Sequence, residues 1–228
     1  MYRWCTTLLL SAPVFARIPV LPKDSSQFVL QDDEIRVAVE LGVMSRCPDA
    51  LLCETVFNQV LEKIGEKMVL TLVYIADLNS TAPDFGITCK HGAGECAGNV
   101  QQLCAAKYSS KWWEFVRCQN DRGRFQVGVP EVALQCARTT GIDWKTSGVG
   151  TCAGLNGSGK GSEGVELLRK SVLAGKSLGI EKSCTVLINH QKVCVHDETW
   201  KECEDGHTVN DFVRQINSEY ERINGNFA

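Results

Sequence analysis

Apolar residues at Ile35, Val37, Val39, Leu41 and Val43 recur at every second position, the period of a strand with one apolar face. Ser45-Arg46-Cys47-Pro48-Asp49 follows and reads as a helix start. Ser45 or Cys47 can cap it, Pro48 fits a first turn where a missing N–H costs nothing, and Asp49 suits the positive end of the helix dipole. Cys53, Phe57, Val60, Leu61 and Ile64 then fall on one helical stripe, which predicts a helix to about Gly65 packed on a sheet. Residues 68–76 are nearly all apolar and bounded by polar positions, as expected of a strand buried on both faces in a parallel sheet.

Beyond Asp77 the chain becomes rich in cysteine and turn residues, with helical patterns over residues 100–118 and 129–139, and about 77–164 reads as an insertion. Residues 146–164 are mostly Gly, Ser and other small types, predicting a flexible loop before a helix over 165–178. Within that loop the run from Gly154 to Lys160 mimics a phosphate loop, but Gly161 stands where Ser or Thr is needed and no strand precedes it. Residues 185–188 and 191–195 predict a hairpin about Asn189-His190, and residues 209–223 a closing helix. The order β-α-β, insertion, α, β-β-α is that of an α/β, thioredoxin-like fold with a disulfide-rich, mainly helical insertion.

Composition narrows the setting. With 44% hydrophobic and 22% charged residues among 228, the chain can bury a core rather than remain disordered. A net charge of -3 is too balanced for a nucleic-acid or polybasic membrane binder. Leu8-Leu9-Leu10 and Val14-Phe15-Ala16 resemble a signal peptide cleaved after Ala16, leaving residues 17–228 as one domain on the secretory route, secreted or lysosomal. No later stretch approaches the ~20 apolar residues that span a bilayer. Sequons at Asn79 and Asn156 mark candidate glycosylation sites. The 12 cysteines include no C-x-x-C pair, so disulfides in an oxidising compartment account for them better than metal. Cys194, His196, Cys203 and His207 match no usual zinc spacing, and no metal or bound cofactor is expected. Removal of Cys5 with the signal leaves an odd number of thiols, so at least one lacks an intrachain partner.

Cys47 is the candidate. It sits at a strand end where a helix begins, and unpaired amides and the dipole there stabilise a thiolate, the form that attacks disulfides. Arg46 favours ionisation and Asp49 opposes it. Cys53 is no ready partner, because six helical residues turn about 600° and rise about 9 Å. Cys47 is therefore expected to be unbridged and partly accessible.

The longest motif runs Cys89-Lys90-His91-Gly92-Ala93-Gly94-Glu95-Cys96-Ala97-Gly98-Asn99, closing at Cys104. It resembles the signature C-Q-H-G-x-x-E-C-x-x-N-x-x-x-x-C of the gamma-interferon-inducible lysosomal thiol reductase family, with Lys90 in place of Gln. Cys136-Ala137, Gly141-Ile142-Asp143-Trp144, Cys152 and Glu166-Leu167-Leu168 look similar too, so the resemblance spans about 35–203. It implies a thioredoxin-like fold with a disulfide-stapled insertion, and a thiol reductase working in acidic endocytic compartments or after secretion, on disulfide-containing protein substrates. Cys89, His91, Gly92, Glu95, Cys96, Asn99 and Cys104 are read as a structural set, His91 as a turn residue rather than a general base.

Two departures matter. The family's C-x-x-C here reads Cys47-Pro48-Asp49-Ala50, so the thiol that resolves a mixed disulfide is missing, and a small thiol such as glutathione would have to release the enzyme. Counting back from Asn189 places Cys184 where the family has a cis-proline facing the active cysteine. If Asn189-His190 forms a two-residue turn, Cys184 lies opposite Val195 and near Cys47, as an unconventional resolving thiol; a three-residue turn instead sets it opposite Cys194 for a cross-strand bridge. Two functions follow: a reductase in which Cys47 attacks substrate disulfides, or a disulfide-rich binding module that has lost that activity.

Overall fold

The computed structural model describes residues 34–225, so the expected signal peptide, its cleavage after Ala16 and Cys5 lie outside them. An interior strand of the sheet is β1 (Val37–Val43), whose alternating apolar residues are fully buried at Val37, Val39, Leu41 and Val43. It runs parallel to β2 (Met68–Tyr74), with Val37 opposite Met68 and Val43 opposite Tyr74. The 17-residue helix α1 (Pro48–Ile64) makes that crossover, starting at Pro48 with Cys47 as its cap residue. Its stripe of Cys53, Phe57, Val60 and Ile64 is buried, with Leu61 packed at the margin. Burying each of the larger apolar side chains is worth ~1.5–3 kcal/mol.

Between β2 and the next long helix lies the insertion. A short pair, β3 (Asp77–Leu78) and β4 (Ile87–Thr88), is followed by α2 (Ala93–Tyr108), α3 (Trp112–Asp121), α4 (Pro130–Thr140) and α5 (Val149–Ala153). The single helix expected over 100–118 is thus two, broken where Ser109 takes an extended φ of -144° and ψ of 134°. Ser109-Ser110 suits a break because serine side chains compete for backbone hydrogen bonds. The stretch expected to be a flexible loop contains α5, stapled to α2 by Cys104–Cys152.

The chain returns through α6 (Ser162–Ser177) to β5 (Thr185–Ile188), β6 (Gln191–Asp197) and β7 (Thr199–Lys201), then closes with α7 (Val209–Asn224). The sheet order is β2-β1-β5-β6-β7, with β5, β6 and β7 each antiparallel to the strand before it in that order. A capping box starts α7: Thr208 Oγ1 accepts from Asp211 N and an Asp211 carboxylate oxygen accepts from Thr208 N. Phe212 of α7 meets Phe57 of α1 at 4.9 Å between ring centroids, so both helices share one apolar layer.

One expectation fails at β2. It is an edge strand, and its Val69 is 42% exposed rather than buried. The face it shares with Val73 is covered only at the Val73 end, by Ile180 and Leu187.

Candidate active site at the start of the first long helix

β1 delivers the chain into a tight turn in which Cys47 N donates to Met44 O at 2.8 Å, and Cys47 O accepts from Leu51 N at 3.2 Å as α1 begins. Cys47 is unbridged, and among the described residues it is the cysteine left free. It is also buried at 5% exposure, whereas the sequence suggests partial accessibility. Its Sγ contacts Asp49 Oδ2 at 3.6 Å and Ser183 O at 3.8 Å. Ala50, where the resolving cysteine of a C-x-x-C would stand, is fully buried.

On one side the turn is held by the signature segment. Glu95, fully buried on the first turn of α2, accepts from Arg46 N at 3.2 Å, from His91 N at 3.2 Å, and pairs with His91 Nδ1 at 2.5 Å. Asn99, also fully buried, accepts from Ser45 N at 3.2 Å, and Ser45 Oγ donates to Glu95 O at 3.3 Å. Gly94 and Gly98 lie on this same helix face because a Cβ at Gly94 would strike the Arg46 guanidinium, and one at Gly98 would meet Ser45 Oγ at 2.8 Å. Arg46 itself reaches away, donating from Nε and Nη2 to Val127 O at 2.8 and 2.6 Å. Burial lowers its pKa from the ordinary value, and the charge of Glu95 opposes that. Cys89–Cys96 closes the signature loop, and Glu95 orients the His91 ring within it. Gly92 supplies the positive φ of 83° before α2.

The hairpin forms the other side. Asn189 and His190 make the two-residue turn with φ of 48° and 64°, both in the left-handed region that such a turn requires. The register nevertheless slips by one at a bulge, because Leu187 pairs with Lys192 while Val186 pairs with Cys194. Cys184 therefore exchanges hydrogen bonds with His196, at 2.9 and 2.8 Å, and not with the Val195 expected from an unbroken ladder. Its peptide bond with Ser183 is cis. Cys184 is not a free resolving thiol: it is bridged to Cys53, with Cα atoms 6.3 Å apart. The reason is local, since Cys53 lies on the buried stripe of α1 and Cys184 faces that helix from the sheet. The alternative bridge to Cys194 is also absent, because Cys194 pairs with Cys203.

The same slip brings in two groups that the sequence reading did not join. His196, 6% exposed, places Nδ1 2.7 Å from Asp49 Oδ1, and that oxygen also accepts from Glu198 N at 2.9 Å. Asp49 thus touches Cys47 with one oxygen and His196 with the other. No spacing rule couples residues 147 apart, and only the bulge together with the helix start could have signalled it. One further buried acid lies on α1: burial pushes Glu54 up to about 7, against the hydrogen bond from Asn120.

Cys194 and Cys203 are consumed in a disulfide, so the grouping with His196 and His207 offers no thiolate to a metal. Cys118–Cys136 completes five bridges among the described residues. Asn79 and Asn156 are exposed. Lys160 of the false phosphate loop pairs with Asp84 at 2.7 Å.

Two solved structures share this fold. BdbD from Bacillus subtilis, in its oxidised form, is 15% identical, with 84% of this chain and 90% of that chain covered and a TM-score of 0.55. MdbA, a thiol-disulfide oxidoreductase from Corynebacterium diphtheriae, is 12% identical, with coverage of 83% and 86% and a TM-score of 0.54. No curated protein sequence matches the chain. The model of the family described as Gamma interferon inducible lysosomal thiol reductase (GILT) matches residues 38–140, a span holding both Cys47 and the signature but ending short of the hairpin. Over that segment, less than half of its length, the chain is similar to the GILT family, and Ala50 stands where a C-x-x-C beginning at Cys47 would have its second cysteine.

Proposed function

We propose that the protein is a thiol reductase that uses a single attacking cysteine. The Cys47 thiolate attacks one sulfur of a substrate disulfide, that S–S bond breaks, and the other substrate sulfur leaves as a thiolate that takes up a proton. A small external thiol such as glutathione then attacks the mixed disulfide. A second equivalent frees Cys47 and carries the oxidising equivalents away as the small-molecule disulfide. The observation that carries this reading is the free Cys47 at the start of α1, with Ala50 beside it and Cys184 already bridged to Cys53. An internal thiol is therefore lacking at both positions from which release would come. Five bridges and the family suit an oxidising compartment. Disulfide-bonded proteins in an endocytic or extracellular space are the substrates this reading assigns.

A disulfide reduction assay at acid and neutral pH tests it. Activity should require added glutathione, vanish in Cys47→Ser, and increase in Ala50→Cys, which restores an internal resolving thiol one helical turn from Cys47 and leaves external thiol only the task of reducing the resulting enzyme disulfide. The burial of Cys47 favours the second reading, a binding module without catalysis. If Cys47→Ser and the parent behave alike, that reading replaces the first.

A further inference from the structure

Cys47 Sγ lies 3.8 Å from Ser183 O, the carbonyl of the peptide bond that begins Cys184. The strands set the same neighbourhood, since Gly42 pairs with Thr185 and Met44 N donates to Ser183 Oγ at 3.1 Å. At the start of α1 and along it, Cys47, Ala50 and Cys53 follow at intervals of three, so the two sulfur-bearing positions share a face with only the Ala50 methyl between them. Cys53 and Cys184 are fully buried, at 0% exposure, against 5% for Cys47. A small thiol from solvent has no line of attack on their bridge, whereas Cys47 stands beside it. We infer that the Cys53–Cys184 bridge is an exchangeable redox pair, a store of two electrons filled and emptied through Cys47. This role rests on Cys47 being the reacting thiol of the proposed reductase.

Filling begins when the Cys47 thiolate attacks Cys184 Sγ. The Cys53–Cys184 bond breaks, a Cys47–Cys184 bond forms, and Cys53 leaves as a thiolate that takes up a proton. Glutathione, as the small thiol, then attacks the Cys47 sulfur, and Cys184 leaves and is protonated. A second glutathione frees Cys47, and the pair departs as glutathione disulfide. Two thiols have become one small-molecule disulfide, while Cys53 and Cys184 hold the two electrons and two protons. Emptying runs through the same bonds. A substrate joined to Cys47 is released when Cys184 attacks the Cys47 sulfur, with the Cys184 proton passing to the departing substrate thiolate. Cys53 then attacks Cys184, the buried bridge closes, and its proton returns Cys47 to the thiol. The closed bridge is the empty state, in which release falls to the external thiol. With the bridge open, the enzyme completes one turnover from its own store.

The test is the rate at which millimolar glutathione opens Cys53–Cys184 in the native, full-length protein near neutral pH. Samples are quenched in acid, freed thiols are alkylated with N-ethylmaleimide in denaturant, and peptide mapping counts Cys53 and Cys184, so no protein substrate is needed. The parent should open the bridge at least about a hundredfold faster than Cys47→Ser, a modest share of the advantage that intramolecular attack holds over bimolecular attack. Equal rates in the two proteins, or a bridge that stays closed in the parent, overturn the relay. If Cys47→Ser does not fold, Cys53→Ala decides: Cys47 and Cys184 should be found linked once glutathione is removed, and two free thiols there overturn it. A parent that opens its bridge through Cys47 yet reduces no disulfide-bonded peptide upholds the relay while defeating the proposed function. A parent that reduces the peptide while its bridge stays closed throughout does the opposite.

Discussion

The signature side of Cys47 and the hairpin side hold the same turn by different means. On the signature side, Glu95 and Asn99 reach backbone N–H groups of Arg46 and Ser45 from within a few residues of one helix. On the hairpin side, contact comes from a backbone carbonyl, a bridge and a histidine whose positions depend on strand register. The first arrangement is a contiguous motif because Glu95 satisfies the N–H groups of Arg46 and His91, and Asn99 that of Ser45, from positions four residues apart on α2. The second is a property of pairing, and a single extra residue in β6 decides which side chain faces α1.

The largest break in this comparison comes from Glu95→Ala. It strands the part-buried N–H groups of Arg46 and His91 beside a position that is itself fully buried and should cost about 3–5 kcal/mol, the range for removing one partner of a buried charged network. A denaturant midpoint measured near neutral pH checks it. The hairpin side responds less, because cutting Cys53–Cys184 with Cys53→Ala removes a 131-residue cross-link and should cost about 2–4 kcal/mol. The same variant frees Cys184 beside Cys47, and non-reducing peptide mapping should then find these two residues linked after air oxidation.

Glu54 sharpens the comparison by pH. Its folded value of about 7 lies above the ordinary 4.5, so the folded state holds a proton that the unfolded chain has released. The stability this gives is fully present below about 4.5 and is lost as pH rises through about 7, a loss on the order of 3 kcal/mol. Glu54→Gln should flatten that part of the stability profile, read as denaturant midpoints from pH 4.5 to 8. The smallest effect is expected at Gly98→Ala, where the new methyl must push Val127 and Ser45 aside for about 1–3 kcal/mol, with a thermal melt as the readout.

What the sequence made legible follows the same division. β1, α1 and α7 emerged from apolar periodicity, and Cys47 from its strand-to-helix position, because these depend on neighbours a few residues apart. The break at Ser109 and the helix α5 were hidden, since disulfides rather than pattern order that part of the insertion. The exposed Val69 was hidden because an apolar run does not say whether a strand lies at the edge. Cys184 was placed near the right neighbours, yet its bridge to Cys53 was not foreseen, since the pairing depends on how α1 lies over β5. Asp49 was read as a lone charge for the same reason.

Trapping the reaction intermediate tests the central claim most directly. The purified protein, mixed with a disulfide-bonded peptide without added thiol and quenched in acid, should accumulate a peptide adduct on Cys47, since no other thiol among the described residues is free to release it. Mass spectrometry of the non-reduced digest should find that adduct on Cys47, cleared by glutathione and absent from Cys47→Ser. An adduct on another cysteine, or none at any pH between acid and neutral, would contradict the account.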